Sequence, residues 1–383
     1  MVNPTKNRVV VIGLFLLIAG VSGTAQGQQT DSGTPEAQIS YARGFEVQNK
    51  PYGHRLSVLH PFANAKDTLV YRLVDQDWSG QLEQQAGAQI IRKPVRRIII
   101  LSTTHVGMLK WLNIEDRVVG ISDKSYVVDA SVRRQIRDGE IEPIGQNGQF
   151  DFEKIIALQP DLVVTIGRKV QQWNELQLLR DNGIPVLVNA EWMEKTPLGR
   201  AEWAKAIALC AGKYSMAREK FHKVAAEYQR ADQLTSTVRD SPSVILNMSY
   251  KGTWFVPGGT SYMATYLEDA GAVYPWRGEK QRHSLRLDFE SAFNQALKVD
   301  YWIHPGTAKS LKELQRKDSR YRHIPAVKNE GVYNNNKQET EEGGNPYWEK
   351  GLMEPDVILK DLITIFHPDL FPDRETVYYH KLD

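Results

Sequence analysis

Aromatic and basic side chains follow several of the predicted strands in this sequence. In α/β proteins the loops after parallel strands bind ligands, because these loops vary freely and nearby helix N-termini offer amide donors. Aromatic walls with arginine and lysine donors suit a bulky ligand that joins a large π or apolar body to carboxylate or catecholate oxygens. We therefore expect a cleft between two rims. The first rim carries Thr104, His105, Arg168, Lys169 and Trp173, and the second carries Tyr250, Trp254, Tyr262, Trp276, Arg282 and His283.

Three of these residues have a plainer interpretation. Trp254 and Trp276 could belong partly to the hydrophobic core, and Arg282 could be a solvated charge on a loop. On that alternative the three side chains take no part in ligand binding.

The tripeptide Asp-Phe-Glu occurs twice in similar surroundings, at residues 151–153 and again 137 residues later at 288–290. Each copy precedes a predicted helix that leads into a predicted strand. An aspartate at a helix start favours the positive end of the helix dipole, so the simplest role is capping. Glu153 and Glu290 would then project from the first helical turn.

Motifs of catalysis and metal binding are missing from the sequence. It has no Gly-x-Ser-x-Gly elbow, no phosphate-binding loop, no His-Glu-x-x-His helix and no Gly-x-Gly-x-x-Gly after a strand. The nine histidines are scattered, and the single cysteine, Cys210, lies in an apolar helical stretch. We expect a buried core cysteine, no catalytic residues, no metal site and no cofactor.

Strands and helices alternate along most of the chain, which predicts βα units around mostly parallel sheets. Predicted helices include 152–158, 171–182 and 355–367. The predicted strands are 97–101, 118–121, 162–166 and 186–189 in a first series, and 244–248, 301–304 and 331–333 in a second. Alternation of polar and apolar residues over 42–76 adds two or three antiparallel strands before them.

One long helix separates the two series. Apolar residues keep helical spacing for about 24 residues after Ser215, which corresponds to roughly 36 Å. The predicted fold class is α/β, with two Rossmann-like lobes joined by this helix and short antiparallel strands near the N-terminus. The predicted divisions are a lobe at 41–195, hinge helices at 196–240 and a second lobe at 241–383.

The N-terminus has the pattern of a secretory signal peptide. Lys6 and Arg8 precede an uncharged run at 9–21 and an exit of small residues, so residues 1–27 are predicted to be removed and 28–40 to form a flexible leader. An uncleaved anchor is the alternative, and no cysteine stands at the exit to carry a lipid. Without residues 1–27 the chain has 46 basic and 46 acidic residues, which argues against nucleic-acid binding by bulk charge.

From about residue 94 to 367 the sequence resembles a known family, the periplasmic substrate-binding proteins of ABC importers for ferric siderophores, cobalamin and haem. The resemblance depends on Arg97-Ile-Ile-Ile-Leu101 followed by Ser-Thr-Thr-His, on Phe152-Glu-Lys-Ile-Ile-Ala-Leu-Gln-Pro-Asp-Leu-Val-Val164, and on the single long helix. Thr253-Trp-Phe-Val-Pro-Gly-Gly259 and Ile365-Phe-His-Pro368 resemble the branch found in Bacteroidetes-type bacteria.

The resemblance implies a periplasmic, monomeric and non-enzymatic protein that captures an iron–siderophore complex and delivers it to an inner-membrane ABC importer. It also implies a role for Glu153 and Glu290, one on each lobe, in docking onto the two-fold symmetric permease dimer. The long helix, as the hinge of the family, implies small lobe movements.

Other ligands and functions stay open at this point. Cobalamin or haem could bind by the same mechanism, and His105, Tyr262 or His283 could ligate haem iron. The scaffold could also serve a secreted enzyme or an accessory protein of a surface receptor.

Overall fold

The computed structural model describes residues 37–63, 65, 67–82, 86–167 and 170–383. The predicted signal peptide, most of the predicted leader, and Arg168 and Lys169 lie outside these residues. The strands of the described chain are β1 Phe45–Lys50, β2 Gly53–Val58, β3 Leu69–Asp75, β4 Gln89–Lys93, β5 Ile98–Ile100, β6 Val118–Ile121, β7 Glu142–Pro143, β8 Gly145–Gln146, β9 Gln149–Phe150, β10 Leu162–Ile166, β11 Val186–Asn189, β12 Val244–Leu246, β13 Ser249–Tyr250, β14 Thr253–Val256, β15 Leu285–Asp288, β16 Tyr301–Ile303, β17 Val332–Asn334 and β18 His380–Lys381.

Helices alternate with most of these strands. They are α1 Thr104–Trp111, α2 Ala130–Arg137, α3 Phe152–Ala157, α4 Val170–Glu175, α5 Gln177–Asp181, α6 Pro197–Glu202, α7 Ala204–Ala211, α8 Tyr214–Thr235, α9 Tyr262–Asp269, α10 Phe289–Ala296, α11 Leu311–Lys317, α12 Pro325–Lys328, α13 Pro346–Glu349 and α14 Pro355–Phe366. Short 3₁₀ turns at Lys124–Tyr126, Glu191–Met193 and Ser319–His323 matter for the site. No described helix is long and apolar enough to span a lipid bilayer.

Two α/β lobes follow from these elements. The first lobe is built on the sheet β11-β10-β5-β6-β7, in which all neighbouring strands are parallel. The second lobe is built on β12-β16-β17-β18, which is parallel except for β18. Strands β5 and β10 are buried along their whole length, because helices cover both faces of a parallel sheet. The predicted fold class is confirmed.

The long helix α8 stands between the two lobes in the chain. Its 22 residues span about 33 Å, and it ends at Thr235, earlier than the spacing of apolar residues predicts. It packs against α7 and α14 through residues that recur every three or four positions, namely Tyr214, Ala217, Phe221, Ala225, Tyr228 and Ala231. Gly212, with a φ of 69°, ends α7 in the left-handed conformation and allows the turn into α8.

The N-terminal sheet, with the order β1-β2-β3-β4, precedes the first lobe. Strands β1 to β3 are antiparallel as predicted, whereas β4 pairs parallel with β3 and was not predicted. Its side chains cover the outer edge of β11. Gln89 exchanges two hydrogen bonds with the backbone of Val186, at 2.8 and 3.2 Å, and the Val188 amide donates to the Tyr71 hydroxyl at 3.1 Å. The edge strand of the first lobe is therefore satisfied by side chains instead of another strand.

The last residues of the predicted leader are held in place. Fully buried Glu202 accepts hydrogen bonds from the amides of Ser40, Tyr41 and Ala42, and Lys205 donates to the carbonyl of Gln38 at 3.1 Å. A carboxylate facing three successive amides makes strong charge-assisted bonds. Residues 38–40, at the end of the predicted leader, therefore contact α6 and α7.

Candidate functional site

A cavity of about 700 Å³ opens at the carboxyl ends of β5, β6 and β10. We call it the first-lobe cavity. It is lined by Leu101, Ser102, Thr103, Asp123, Tyr126, Asn147, Gly148, Phe150, Ile166, Gln171 and Glu175. Its position follows the rule that ligands of parallel sheets bind beyond the strand ends.

Short polar contacts shape the wall of the first-lobe cavity. The hydroxyls of Ser102 and Thr104 lie 2.9 Å apart at the start of α1. Asp123 has a φ of 51° and accepts a hydrogen bond from the amide of Asn147 at 2.7 Å, which joins the loop after β6 to the β8–β9 hairpin. Tyr126 is 43% exposed, so its ring is available to a ligand.

A second cavity, of about 240 Å³, lies at the carboxyl ends of β12 and β16, and we call it the second-lobe cavity. It is lined by Trp192, Leu246, Asn247, Pro257, Ser261, Tyr262, Met263, Arg282, His283, Ser284, His304 and Trp348. Trp192 comes from the 3₁₀ turn after β11 of the first lobe, and its ring lies 5.9 Å from that of His283. Residues that follow the sheets of both lobes therefore meet at this cavity.

Two arginines make contacts at the second-lobe cavity. The guanidinium of Arg200 lies 3.9 Å from the ring centre of Tyr262, and its Nε donates to Glu191 at 2.6 Å. Burial opposes the charge of Arg200, but Glu191 and the neighbouring tyrosines outweigh it and raise its pKa. Arg282 donates to the carbonyl oxygen of Met193 at 2.5 Å, a contact between the second-lobe wall and the 3₁₀ turn after β11.

His304 stands directly after β16, at the base of the second-lobe cavity. Its Nε2 lies 2.7 Å from the hydroxyl of Tyr379, and the two rings stack with centroids 5.3 Å apart. Burial lowers the pKa of His304 to about 3, so the ring is neutral at physiological pH.

The structure brings some of the predicted ligand residues to the cavities. Tyr262, Arg282 and His283 line the second-lobe cavity. Thr104 is bonded to Ser102 beside the first-lobe cavity without lining it. Tyr250 is 65% exposed on the β13–β14 hairpin, and half-buried Trp276 packs against Tyr274; neither residue lines the first-lobe or the second-lobe cavity.

Three further predicted residues line neither cavity. Trp254 is fully buried, because it lies on the core face of β14 and its Nε1 donates to the carbonyl of Leu246 at 2.9 Å. His105 is also fully buried within α1, and its ring nitrogens have no hydrogen-bond partner in the described chain. The ring of Trp173 is covered by the guanidinium of Arg180 at 3.7 Å. Trp254 and His105 therefore offer no surface to a ligand in this structure, which corrects their assignment.

Several lining residues were not predicted from the sequence. Asp123, Trp192 and His304 each follow a strand closely, so the rule that found Tyr262 and Arg282 applies to them as well. Trp348 lies in α13, far from any strand end in sequence, and only the tertiary fold brings it to the cavity. Within the described residues no group of three or more His, Cys, Asp or Glu side chains is arranged to hold a metal ion.

The repeated Asp-Phe-Glu tripeptides lie at helix starts in both lobes. The carboxylates of Asp151 and Asp288 each accept a hydrogen bond at 2.9 Å from the backbone amide three residues on, so both cap their helices. Glu153 and Glu290 are both exposed. Glu290 is paired with Arg320 at 3.0 Å, whereas Glu153 has no ion pair with any described residue.

The chain is similar to a curated protein and to several solved structures. A curated relative, an uncharacterized lipoprotein of Methanocaldococcus jannaschii, is 25% identical over 308 residues, which cover 76% of this chain and 70% of the relative. The crystal structure of a possible iron-binding, periplasmic solute-binding protein from Staphylococcus epidermidis matches with a TM-score of 0.55 at 20% identity, over 72% of this chain and 100% of that one.

A periplasmic heme binding protein from Pseudomonas aeruginosa also matches with a TM-score of 0.55, at 14% identity, over 76% of this chain and 98% of its own. At these identities the structural matches show the shared fold. The sequence model described as periplasmic binding protein matches residues 98–339. Because this match spans more than half of the chain, the protein belongs to the periplasmic binding protein family.

Proposed function

We propose that the protein captures an iron–siderophore complex outside the cytoplasm and delivers it to an ABC-type importer, without catalysing a reaction. The observation that carries this proposal is the second-lobe cavity, where Trp192 of the first lobe lies opposite Tyr262, Arg282 and His283. Aromatic faces beside a guanidinium suit a ligand with a π or apolar body and anionic oxygens.

We expect each cavity to bind a different part of the ligand. The first-lobe cavity, at about 700 Å³, has the volume usual for small-molecule sites, whereas the second, at about 240 Å³, lies below it. We expect the body of the ligand to lie against Tyr126 and Phe150 and its charged oxygens to reach Arg282. The name of the Staphylococcus epidermidis protein, a possible iron-binding protein, supports the choice of an iron complex.

Haem is the second candidate ligand, because His283 and Tyr262 both line the second-lobe cavity and either side chain can ligate haem iron. The name of the Pseudomonas aeruginosa protein supports it. Cobalamin would bind by the same two-lobed mechanism. An enzyme on this scaffold would need a paired nucleophile and base, and a receptor accessory protein would need no permease.

For transport, we propose that residues 41–195 and 241–383 move as lobes about the hinge helices at 196–240, and that Glu153 and Glu290 dock onto the two permease subunits. Exposure of both carboxylates supports this role. We further propose that the protein is monomeric and periplasmic, exported by a cleaved signal peptide at residues 1–27.

Fluorescence titration of the purified protein tests the ligand. Trp192 and Trp348 line the second-lobe cavity, so binding of a ferric siderophore, haem or cobalamin should quench tryptophan emission, and the absorption spectrum distinguishes bound haem and cobalamin. Trp192→Phe should remove much of the quenching. Trp254→Phe is the matched control, since Trp254 is buried in the core and should contribute emission without responding to ligand. The proposal is wrong if none of the three ligand classes binds.

A further inference from the structure

A segment of the second lobe crosses to the first lobe beside the first-lobe cavity. This segment, residues 339–353, connects β17 to α14, and we call it the bridge segment. A Cβ atom added to Gly107 of α1 would lie 1.7 Å from the carbonyl oxygen of Glu349, so only glycine allows this approach. On the same side, a Cβ atom added to Gly344 would lie 2.8 Å from the carbonyl oxygen of Tyr126. The two backbones are therefore in direct contact.

The side chain of Glu349 makes the polar link across this contact. It is 2% exposed, and its two carboxylate oxygens accept hydrogen bonds from the successive amides of Val128 and Asp129, at 2.7 and 2.8 Å. Hydrogen bonds of this length are stronger when they are shielded from water. A second polar link from the bridge segment to the first lobe, Arg133 to Glu342 at 3.3 Å, is solvent-exposed and contributes little.

The two amides that Glu349 binds end the loop that follows β6. That loop, residues 122–129, carries Asp123 and Tyr126, both of which line the first-lobe cavity. Asp129 in turn caps α2 by accepting from the amides of Ser131 and Val132. The position of the loop, and hence of the cavity wall, is thus fixed from the opposite lobe.

We propose that Glu349 is a positioning residue that holds the loop at residues 122–129 in place, so that Asp123 and Tyr126 face the ligand. The inference rests on the proposed function of the cleft. Glu349 itself lines neither cavity and acts only through the loop.

The titration of Glu349 gives this role a measurable signature. The pKa of Glu349 is raised from 4.5 to about 7, mainly by burial and to a smaller extent by the Asp129 carboxylate. The hydrogen bonds from the amides of Val128 and Asp129 and the charge of Lys350 act in the opposite direction and lower this pKa. Of the charged groups on α1, Lys110 lies 3.9 Å from Asp129, and His105 is neutral because burial lowers its pKa to about 3.

A rise in pH should favour detachment of the loop at residues 122–129. The bound loop keeps Glu349 buried, with a pKa of about 7, whereas detachment exposes it to water and returns the pKa to about 4.5. The bound state therefore holds the proton more tightly, and raising the pH favours detachment. Between pH 6 and pH 8 the population with a detached loop should rise roughly tenfold.

Amide hydrogen exchange of the purified protein tests the proposal without needing the ligand. After correction for intrinsic exchange rates, peptides covering residues 122–130 should show about tenfold more opening at pH 8 than at pH 6. Glu349→Gln, a neutral isostere that keeps one acceptor oxygen, should abolish this pH dependence. Glu349→Ala should raise opening at least tenfold at both pH values, and Glu342→Gln, which alters the exposed pair on the same segment, should behave as wild type.

Two outcomes would overturn the role of Glu349. One is equal protection of residues 122–130 in wild type and Glu349→Ala, and the other is a pH dependence that persists in Glu349→Gln. If Glu349→Ala does not fold, the pH dependence of exchange in Glu349→Gln decides whether Glu349 holds the loop.

Titration of the same variants with ferric siderophore and haem distinguishes failure of the positioning role from failure of the proposed function. A wild type that binds neither probe contradicts the iron and haem ligands, whereas unchanged affinity in a Glu349→Ala protein with a detached loop contradicts the positioning role.

Discussion

The two lobes repeat one sequence pattern but surround it differently. Each lobe starts a helix with Asp-Phe-Glu, yet Glu290 is paired with Arg320 and Glu153 has no ion pair in the described chain. Each lobe also buries a histidine near the carboxyl end of its sheet. His105 has no hydrogen-bond partner among the described residues, whereas His304 is bonded to a tyrosine hydroxyl.

The difference shows what a repeated βα unit determines. The pattern sets where a side chain lies relative to its strand, but partners come from elements outside the repeat. Arg320 comes from the 3₁₀ turn Ser319–His323, and Tyr379 comes from the segment before the C-terminal strand β18. Side chains at equivalent positions can therefore contribute differently to stability and to function, and substitutions can measure the difference.

The largest effect is expected from removing both exposed glutamates. Glu153→Ala combined with Glu290→Ala should abolish uptake of ferric siderophore by cells while leaving ligand affinity unchanged, because each lobe would lose the carboxylate proposed to dock onto the permease. Of the single variants, Glu153→Ala should cost more uptake, since Glu290 already shares its charge with Arg320. Glu330→Ala is the control, because Glu330 is similarly exposed and paired with Lys381. Full uptake by the double variant would refute docking through these residues.

The next effect concerns the buried ion pair beside Tyr262. Glu191→Ala leaves Arg200 charged and largely buried, so the free energy of unfolding should fall by about 3–5 kcal/mol in urea denaturation. Glu268→Ala removes one partner of an exposed pair with Arg277 and should cost less than about 1 kcal/mol. Equal losses in the two variants would mean that the Arg200–Glu191 pair is no more important than a surface contact.

The two buried histidines should respond differently to the same substitution. At pH 7, His304→Leu should lower the free energy of unfolding by about 1–3 kcal/mol, because it removes the hydrogen bond to Tyr379. His105→Leu removes a polar ring without a described partner, so it should change stability by less than about 1 kcal/mol. Urea denaturation measures both, and a larger loss for His105→Leu would reverse the comparison.

Both histidines share one pH dependence. Burial lowers each pKa to about 3, so their contribution to stability is complete above the ordinary value near 6.5 and is lost as the pH falls toward 3. Between pH 7 and pH 5 each histidine should account for about 2 kcal/mol of lost stability. Each leucine variant should therefore lose about 2 kcal/mol less than wild type over that range.

The smallest of these effects is expected in the cleft. Arg282→Ala should weaken binding of the ferric siderophore about tenfold, because a charge-assisted hydrogen bond contributes about 1.4 kcal/mol or more. Arg286→Ala is the control, since Arg286 is exposed on β15 and lines neither cavity. Equal affinities for wild type and Arg282→Ala would show that the contact of Arg282 with Met193 is purely structural.

Much of the fold follows from local patterns. Strands such as β5 and β10 are short apolar runs between helices, and the caps Asp151 and Asp288 lie where their residue type predicts. Strand β4 escaped prediction because its environment is not local. Its last residue, Lys93, is buried against His54 and Asp75 of other strands, an arrangement that no periodicity reveals.

The candidate site was less predictable, and Trp254 shows why. A residue near a strand end can face the ligand or the core, and on β14 the buried positions are Trp254 and Val256. A period of two would have placed Trp254 on the core face. For Trp348 and Glu349 no such signal exists, because the bridge segment reaches the cleft only through tertiary contacts.

The contacts of Gln89 and Tyr71 with β11 predict what happens when the N-terminal residues are removed. The family match begins at residue 98, yet the amides of Val186 and Val188 have their partners on side chains that precede it. A chain beginning there would leave β11 as an open template for pairing between molecules. The N-terminal sheet thus occupies backbone groups of β11 that would otherwise be free to pair with another chain.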